Sequence, residues 1–474
     1  MCFVKFSMSE NRKKGKLFLY KSEKIVYTKC KYYFTAIKIK RMKDVVMKLN
    51  YKRTFLVGLA FLSISAFWQL YDNLVPLILT STFGMGETLR GVIMAADNVL
   101  ALFLLPLFGG LSDKTNTRLG RRTPYILVGT AIAVTFMLFL PFFEQKTNLT
   151  LFLVGLGVVL LAMGSYRSPA VALMPDLTPK PLRSKANAVI NLMGALGGVF
   201  TLVMVKLLIP KEDRPNYLPV FSSVAILMVV SVLLLLLTVR ERRLSEEVAA
   251  MDHDDIPAES TPSATARRKL PPDVKRSLIF LLASVFAWFM AYNAVTTAFS
   301  SYALEVWGLK GGDFADCLMV ATVAAVISYI PVGFIAGKIG RKKTILVGIV
   351  LMGSAYLFGF FFTTYNPLAN IVFAMVGIGW AFINVNSYPM VVEMSFHGDV
   401  GHYTGLYYTF SMSAQILTPI LSGFFLEHFS YKTLFPYSAL FMAIAFCTML
   451  MVHHGDVKPM RKKDLLESFD AGDE

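Results

Sequence analysis

The chain has 474 residues, 55% of them hydrophobic and 16% charged, with a formal net charge of +16 and a mean hydropathy of +0.56. A soluble chain of this length carries about 25% charge and divides into two or three domains. Here long apolar blocks alternate with short charged loops, which excludes a soluble enzyme, a secreted disulfide scaffold and an ordinary nucleic-acid binder. A spanning helix needs about 20 apolar residues, so twelve take up about 240, close to half the chain. The composition predicts an all-α polytopic membrane protein.

Residues 1–46 hold 13 Lys and Arg against Glu10, Glu23 and Asp44. They lack the apolar core and small-residue cleavage site of a secretory signal. They read as a disordered leader or as sequence ahead of a natural start at Met47, with a basic arm on anionic lipid as the alternative. Apolar blocks follow at 54–80, 89–111, 123–143, 149–174, 186–209, 217–239, 277–303, 314–336, 344–364, 368–394, 403–427 and 431–452. One long hydrophilic stretch, 240–275, divides them six and six. Its charge, Pro, Ser and Thr content predicts a short amphipathic start and then a flexible linker. The expected organisation is a six-helix bundle over 47–239, a cytoplasmic linker over 240–275, a second bundle over 276–453 and a tail over 454–474.

With the N-terminus inside, 39 Lys and Arg fall on inside segments and seven outside; without the leader the ratio is still 26 to 7. The positive-inside rule then places both ends in the cytoplasm, with the chain in a plasma (inner) membrane. Cys2, Cys30, Cys317 and Cys447 have neither metal nor disulfide spacing, and the six histidines lie in loops or at block ends. No metal and no cofactor is expected.

An offset of 220 residues aligns Trp68 with Trp288, Asn73 with Asn293, Gly120-Arg121 with Gly340-Arg341, and Pro169 with Pro389. Two of the four tryptophans coincide in the first and seventh blocks, and two basic loops coincide after the second block of each half. A duplicated six-span unit accounts for this, and such a repeat gives two bundles around a central cavity.

The loop after the second block reads GGLSDKTNTRLGRRTP (109–124), and its partner after the eighth reads GFIAGKIGRKK (333–343). Glycines let two helices approach closely, and Asp113 can accept from basic side chains or from helix N-termini. Obedience to the positive-inside rule explains the arginines and lysines but not the Gly–Asp spacing. These loops resemble the signature of the major facilitator superfamily, G-x-x-x-D-x-x-G-R-R/K, with a degenerate copy in the second half. The first loop is longer than the common form by about four residues, Lys114–Thr117. In that form, and in RSPAVALMPDLTPKPLRSKA (167–186), it is similar to the plant sucrose–proton symporters with their animal and bacterial relatives, and more distantly to the glycoside–pentoside–hexuronide cation symporters. The resemblance implies twelve helices in two six-helix pseudo-repeats and secondary active transport of a sucrose- or maltose-like sugar. It also implies a cytoplasmic latch at Asp113, Arg118, Gly120, Arg121, Arg122, Gly340 and Arg341 that must break when the cavity opens inward. In the plant symporters an arginine falls at the position of Val171, one turn beyond Arg167 on the same helical face.

Polar residues inside spans need partners or water, and a charge at depth costs about 2.5–3.5 kcal/mol on insertion scales. The first block carries Ser65, Trp68, Gln69, Asp72, Asn73 and Pro76 as one stripe on an apolar helix. The seventh repeats it with Ser284, Trp288, Tyr292 and Thr296, flanked by Asn293; the tenth has Trp380, Asn384 and Tyr388. Amides and carboxylates suit sugar hydroxyls, and aromatic faces suit the apolar side of a ring. The candidate substrate residues are therefore Trp68, Gln69, Asn73, Asn98, Arg167, Trp288, Tyr292, Asn293 and Asn384. Polar helix–helix contacts are the plain alternative for each.

At 1.5 Å per residue, Asp72 and Asp97 lie at nearly the same depth, about 12 Å below one membrane edge, and Arg167 lies about 15 Å deeper. A direct Asp97–Arg167 pair is not expected on that count. Two carboxylates at one depth resist being ionised together, which makes Asp72 and Asp97 the first choice for proton coupling. The rivals are one carboxylate for the proton and one for sugar hydroxyls, or solvated charges in an outer vestibule. Arg167 would bind substrate oxygens or balance Asp176 or Glu393.

The leading expectation is proton-coupled uptake of a small sugar by alternating access, with the bilayer and no obligatory protein partner. The alternatives are an exporter of amphipathic compounds, sodium in place of the proton, and a transport-dead nutrient sensor. An enzyme is not expected, because the spans hold no nucleophile–base set.

Overall fold

The computed structural model describes residues 49–179, 182–212, 214–253, 271–394 and 400–456. The leader 1–46, residues 254–270 of the linker and the tail beyond 456 lie outside the described residues. Twelve helices are long and apolar enough to cross a membrane. In the first half they are α1 (Tyr51–Ser81), α2 (Glu87–Lys114), α3 (Thr123–Gln145), α4 (Leu149–Asp176), α5 (Arg183–Leu208) and α6 (Leu218–Thr238). Helix α7 (Glu241–His253) is the amphipathic start expected of the linker. The second half holds α8 (Pro272–Glu305), α9 (Ala315–Ile339), α10 (Arg341–Phe360), α11 (Ala369–Val392), α12 (Val400–His428) and α13 (Leu434–Leu450), the last preceded by a 3-10 turn over Tyr431–Thr433. Among the described residues there is no strand.

Local chemistry fixes the helix ends. The Asn50 side chain accepts from the Arg53 N–H at 3.1 Å and caps α1. Pro124 stands in the first turn of α3, where a missing N–H costs nothing. The apolar blocks predict these helices to within a few residues. One displaced end matters: α2 runs on to Lys114, so Asp113 lies in a last helical turn rather than in a loop. The outer surface is apolar at depth, with Phe103 and Leu237 70% and 80% exposed. Hydrocarbon is a good solvent for such side chains, whereas water would make this an aggregating patch.

The packing repeats between halves. Helix α1 packs on α5 and α6, α3 on α4 and α6, and α2 on α4; likewise α8 packs on α12 and α13, α10 on α11 and α13, and α9 on α11. Three pairs join the halves: α2 with α12, α5 with α9, and α1 with α8. The first two exchange under the pseudo-twofold and the third maps onto itself, as a duplicated six-helix unit requires. Loops α2–α3, α4–α5, α8's start and α9–α10 mark the basic face; loops α1–α2, α5–α6 and α8–α9 mark the opposite face.

Candidate functional site

The polar stripe of α1 meets α2 and α4. The Arg167 guanidinium lies over the Trp68 ring, 5.6 Å from its centroid. The Asp72 carboxylate feels the charge of Asp97, and Arg167 acts on both. The guanidinium thus lies within electrostatic range of both carboxylates. Counting residues along separate helices ignores their tilt and offset, and a long arginine side chain reaches past its own Cα. Trp68 lies one turn from Asp72, so a guanidinium seated on Trp68 sits beside the acid pair. Asn98 donates from its amide to Asp97 at 2.9 Å. The Tyr71 hydroxyl donates to the Met94 carbonyl at 3.4 Å and ties α1 to α2 beside the same group.

Other candidates are placed differently. Asn73 is 1% exposed and donates to the Gln69 carbonyl of its own helix at 2.8 Å, while its carbonyl oxygen is buried without a hydrogen bond. Trp288 is fully buried, so its ring face is packing, not accessible wall, in this conformation. Asn293 donates to the Phe289 carbonyl at 2.8 Å, the same own-helix bond that Asn73 makes. Tyr292 and Asn384 are half-buried. Tyr292 stacks on Trp380 of α11 with centroids 3.9 Å apart and planes 7° apart, and Phe289 meets Trp380 edge-on at 5.4 Å. Trp380 belongs with the candidates; its place in the α11 stripe was the available signal. The structure therefore gathers Trp68, Asp72, Asp97, Asn98 and Arg167 into one group and Tyr292 with Trp380 into another.

At the basic face the signature residues form an ion-pair group around the buried Arg122, with Asp113 exposed and Arg121 partly exposed. Arg122 is 5% exposed; it donates from Nε to Asp176 at 2.9 Å and from Nη1 to Ser112 Oγ at 2.5 Å, and pairs with Asp113. Burial works against its charge, but Asp176 and Asp113 outweigh this and hold the guanidinium above its ordinary range. Arg121 reaches Asp176 at 3.3 Å, and Arg118 is exposed at the loop tip. The organising residue is Glu241, at the start of α7. Its carboxylate, 2% exposed as a residue, accepts from the backbone N–H groups of Arg121, Arg122 and Thr123 at 2.7, 2.9 and 2.8 Å and from the Thr123 hydroxyl at 2.6 Å. It caps α3 from outside, where the helix dipole favours an anion. Gly120 has φ 124°, and a Cβ there would stand 2.3 Å from the Glu241 carboxylate.

The second half makes the same arrangement. Gly340 has φ 93°, Arg341 pairs with Glu393 at 2.5 Å, and Asp456 accepts from the Lys342 N–H at 2.9 Å. Lys342 Nζ donates to the Leu450 and Val452 carbonyls at 3.0 and 2.6 Å. Asp176 and Glu393, offered in the sequence as counter-charges for Arg167, pair with Arg122 and Arg341. Glu241 and Asp456 were not legible as partners because they lie more than 100 residues from the helices they cap.

The sequence pattern of the Major Facilitator Superfamily matches residues 57–384 and 313–469. The sucrose transport protein SUC3 of Arabidopsis thaliana is 30% identical over 152 residues, 28% of this chain and only 25% of that protein. An uncharacterised transporter of the superfamily from Methanocaldococcus jannaschii is 21% identical over 391 residues, 79% of this chain and 88% of its own. Among solved structures, the nucleoside transporter NupG superposes with a TM-score of 0.62 at 14% identity, covering 85% of this chain and 100% of that one. The xylose transporter XylE of E. coli, in its inward-open conformation, gives 0.60 at 14% identity, covering 89% and 98%. At such identities these structures are similar in fold alone. With twelve spans, a repeated six-helix unit and a family match over most of its length, the chain belongs to the Major Facilitator Superfamily.

Proposed function

We propose that this transporter takes up a small sugar or glycoside together with a proton by alternating access. The observation that carries the reading is the group of Asp72, Asp97 and Arg167 seated on Trp68 inside the membrane-spanning helices. With both acids ionised the group holds one net negative charge, which one proton neutralises. A solute that crosses with that proton need carry no charge itself. Trp68 and the Tyr292–Trp380 stack offer apolar ring faces, while Gln69, Asn98 and Arg167 offer groups for hydroxyls. The partial likeness to a sucrose transport protein favours the same substrate class.

The excess of Lys and Arg on the basic face supports a cytoplasmic location for that face and both chain ends, with the chain in a plasma (inner) membrane. The ion-pair groups of Arg122 and Arg341 then lie on the cytoplasmic side and brace each half from within. Each half moves as a body, which lets the outer and inner faces open in turn.

The test is sugar-induced alkalinisation of lightly buffered, de-energised cells expressing residues 47–474, screened with sucrose, maltose and small glycosides. A sugar-dependent pH rise that disappears in Asp97→Asn is the expected result. Silence with every sugar, despite normal membrane insertion, overturns the reading in favour of sodium coupling or of an exporter of amphipathic compounds.

A further inference from the structure

Two seams close the outer face between the halves. On the first, α2 meets α12 so tightly that a methyl on Gly91 would lie 2.0 Å from the Pro419 carbonyl oxygen. Arg90 and Glu87, 3% and 4% exposed, pair with each other one turn apart on α2. From the other half, the Tyr431 hydroxyl donates to Glu87 at 2.6 Å, and Ser301 accepts from Arg90 at 2.8 Å. Thr80 accepts from Arg90 and donates to Glu87, both at 3.1 Å, and the Thr88 N–H donates to Glu427 at 2.7 Å. On the second seam, α5 meets α9. Lys206 donates to Asp313 and Asp316 at 2.7 and 2.6 Å, and Lys211 reaches Asp313 at 2.6 Å.

The seams differ in kind. The lysine–aspartate bridges are partly exposed, with Lys206 and Lys211 side chains 32% and 67% accessible. Pairs of that sort are screened by salt and contribute little. On the first seam Glu87, Arg90 and Ser301 are buried and Tyr431 is half-buried, and hydrogen bonds to buried charged groups are strong. Glu87 and Arg90 also neutralise each other within one helix. Parting the halves therefore breaks the Tyr431 and Ser301 contacts without stranding a single charge in a low-dielectric gap. Such a contact can be both firm and reversible.

We propose that the Glu87–Arg90 pair, docked on Tyr431 and Ser301, is the outer-face latch that sets the balance between the two facing states, with the Lys206 bridges contributing little. This rests on the alternating-access reading but not on the sugar or the proton.

The test uses the full chain in right-side-out and inside-out vesicles, with Cys2, Cys30, Cys317 and Cys447 replaced by alanine and one reporter cysteine at Ala96. Ala96 lies six residues past Arg90 on α2, about 9 Å deeper. A membrane-impermeant thiol reagent from the outer side reads how often that depth opens outward. Tyr431→Phe and Ser301→Ala should each raise outer-side labelling about tenfold, the effect of one charge-assisted hydrogen bond, and slow labelling from the inner side. Lys206→Met should change either rate less than twofold. Unchanged labelling in both Tyr431→Phe and Ser301→Ala overturns the proposal. So does an effect of Lys206→Met as large as theirs, or faster labelling from both sides at once, which is loosening rather than a change of facing. The readout needs no substrate, so failure of every sugar in the transport assay leaves it intact.

Discussion

An arginine within a spanning helix carries a cost that its surroundings must offset. Arg167 has two offsets: the carboxylates of Asp72 and Asp97, and the Trp68 ring beneath its guanidinium. The two separate by substitution. Arg167→Gln leaves two acids with no counter-charge, so the pair must take up more protons before the site is filled. Sugar-driven proton uptake should then fall at least tenfold, and the pH dependence of what remains should change. Trp68→Leu keeps every charge and removes a stack worth about 1 kcal/mol, so apparent affinity should weaken about fivefold with the pH profile unchanged. Arg167→Lys keeps the charge but loses the planar stack and should resemble Trp68→Leu. Transport kinetics measured over a range of pH check all three; identical profiles for Arg167→Gln and Trp68→Leu would deny the arginine an electrostatic role.

The element that best shows how distant sequence fixes local structure is the start of α3. Three consecutive N–H groups and one hydroxyl converge on Glu241, and only a residue without a Cβ at Gly120 leaves room for that carboxylate. Gly120→Ala combines a positive φ with a blocked carboxylate and should cost about 2 kcal/mol or more. Gly340→Ala meets Asp456 at 2.9 Å, a milder approach to an exposed carboxylate. The two alanines therefore rank in that order when thermal unfolding is followed in detergent, and Glu241→Ala falls beside Gly120→Ala. The α3 end illustrates the limits of legibility. Hydropathy marks each spanning helix because lipid demands an apolar run of fixed length, and the helix ends follow from Asn50, Pro124 and the two glycines. Sequence spacing also marks Gly120 with Arg121 and Arg122 as special. What spacing cannot carry is the partner: Glu241 sits in a charged stretch that reads as the amphipathic start of a linker, and Asp456 follows the last span. The seat of the Arg167 guanidinium on Trp68 was not legible for a related reason, since residue counts along one helix know nothing of the tilt of another.

At the scale of the whole molecule, the proposed function of an importer driven by an outside proton requires an outer face responsive to substrate rather than to acid alone. The α5–α9 seam meets this condition. Burial would raise the Asp313 carboxyl, but Lys206 and Lys211 outweigh it and hold the group below the usual carboxylate range. A depressed value in the closed state means that the bridge contributes to closure above the ordinary carboxylate value of about 3.9 and loses that contribution only as pH falls through the depressed one. Between pH 8 and pH 5, then, this seam holds constant strength, independent of titration at the proposed proton site deeper in the molecule. Spin labels at Lys146 and Phe361, exposed positions on the outer face of the two halves, read the closure as a distance. In a carrier with Asp72→Asn and Asp97→Asn, that distance distribution should stay fixed from pH 8 to pH 5, with at most a slight outward broadening below about pH 4, since these exposed bridges contribute little to closure. Lys206→Met should change that small acid-dependent part only modestly, because Lys211 still reaches Asp313. Movement beginning near pH 6 in the double-asparagine carrier would place a titrating group in the outer closure itself, and gate and proton site would not be separate.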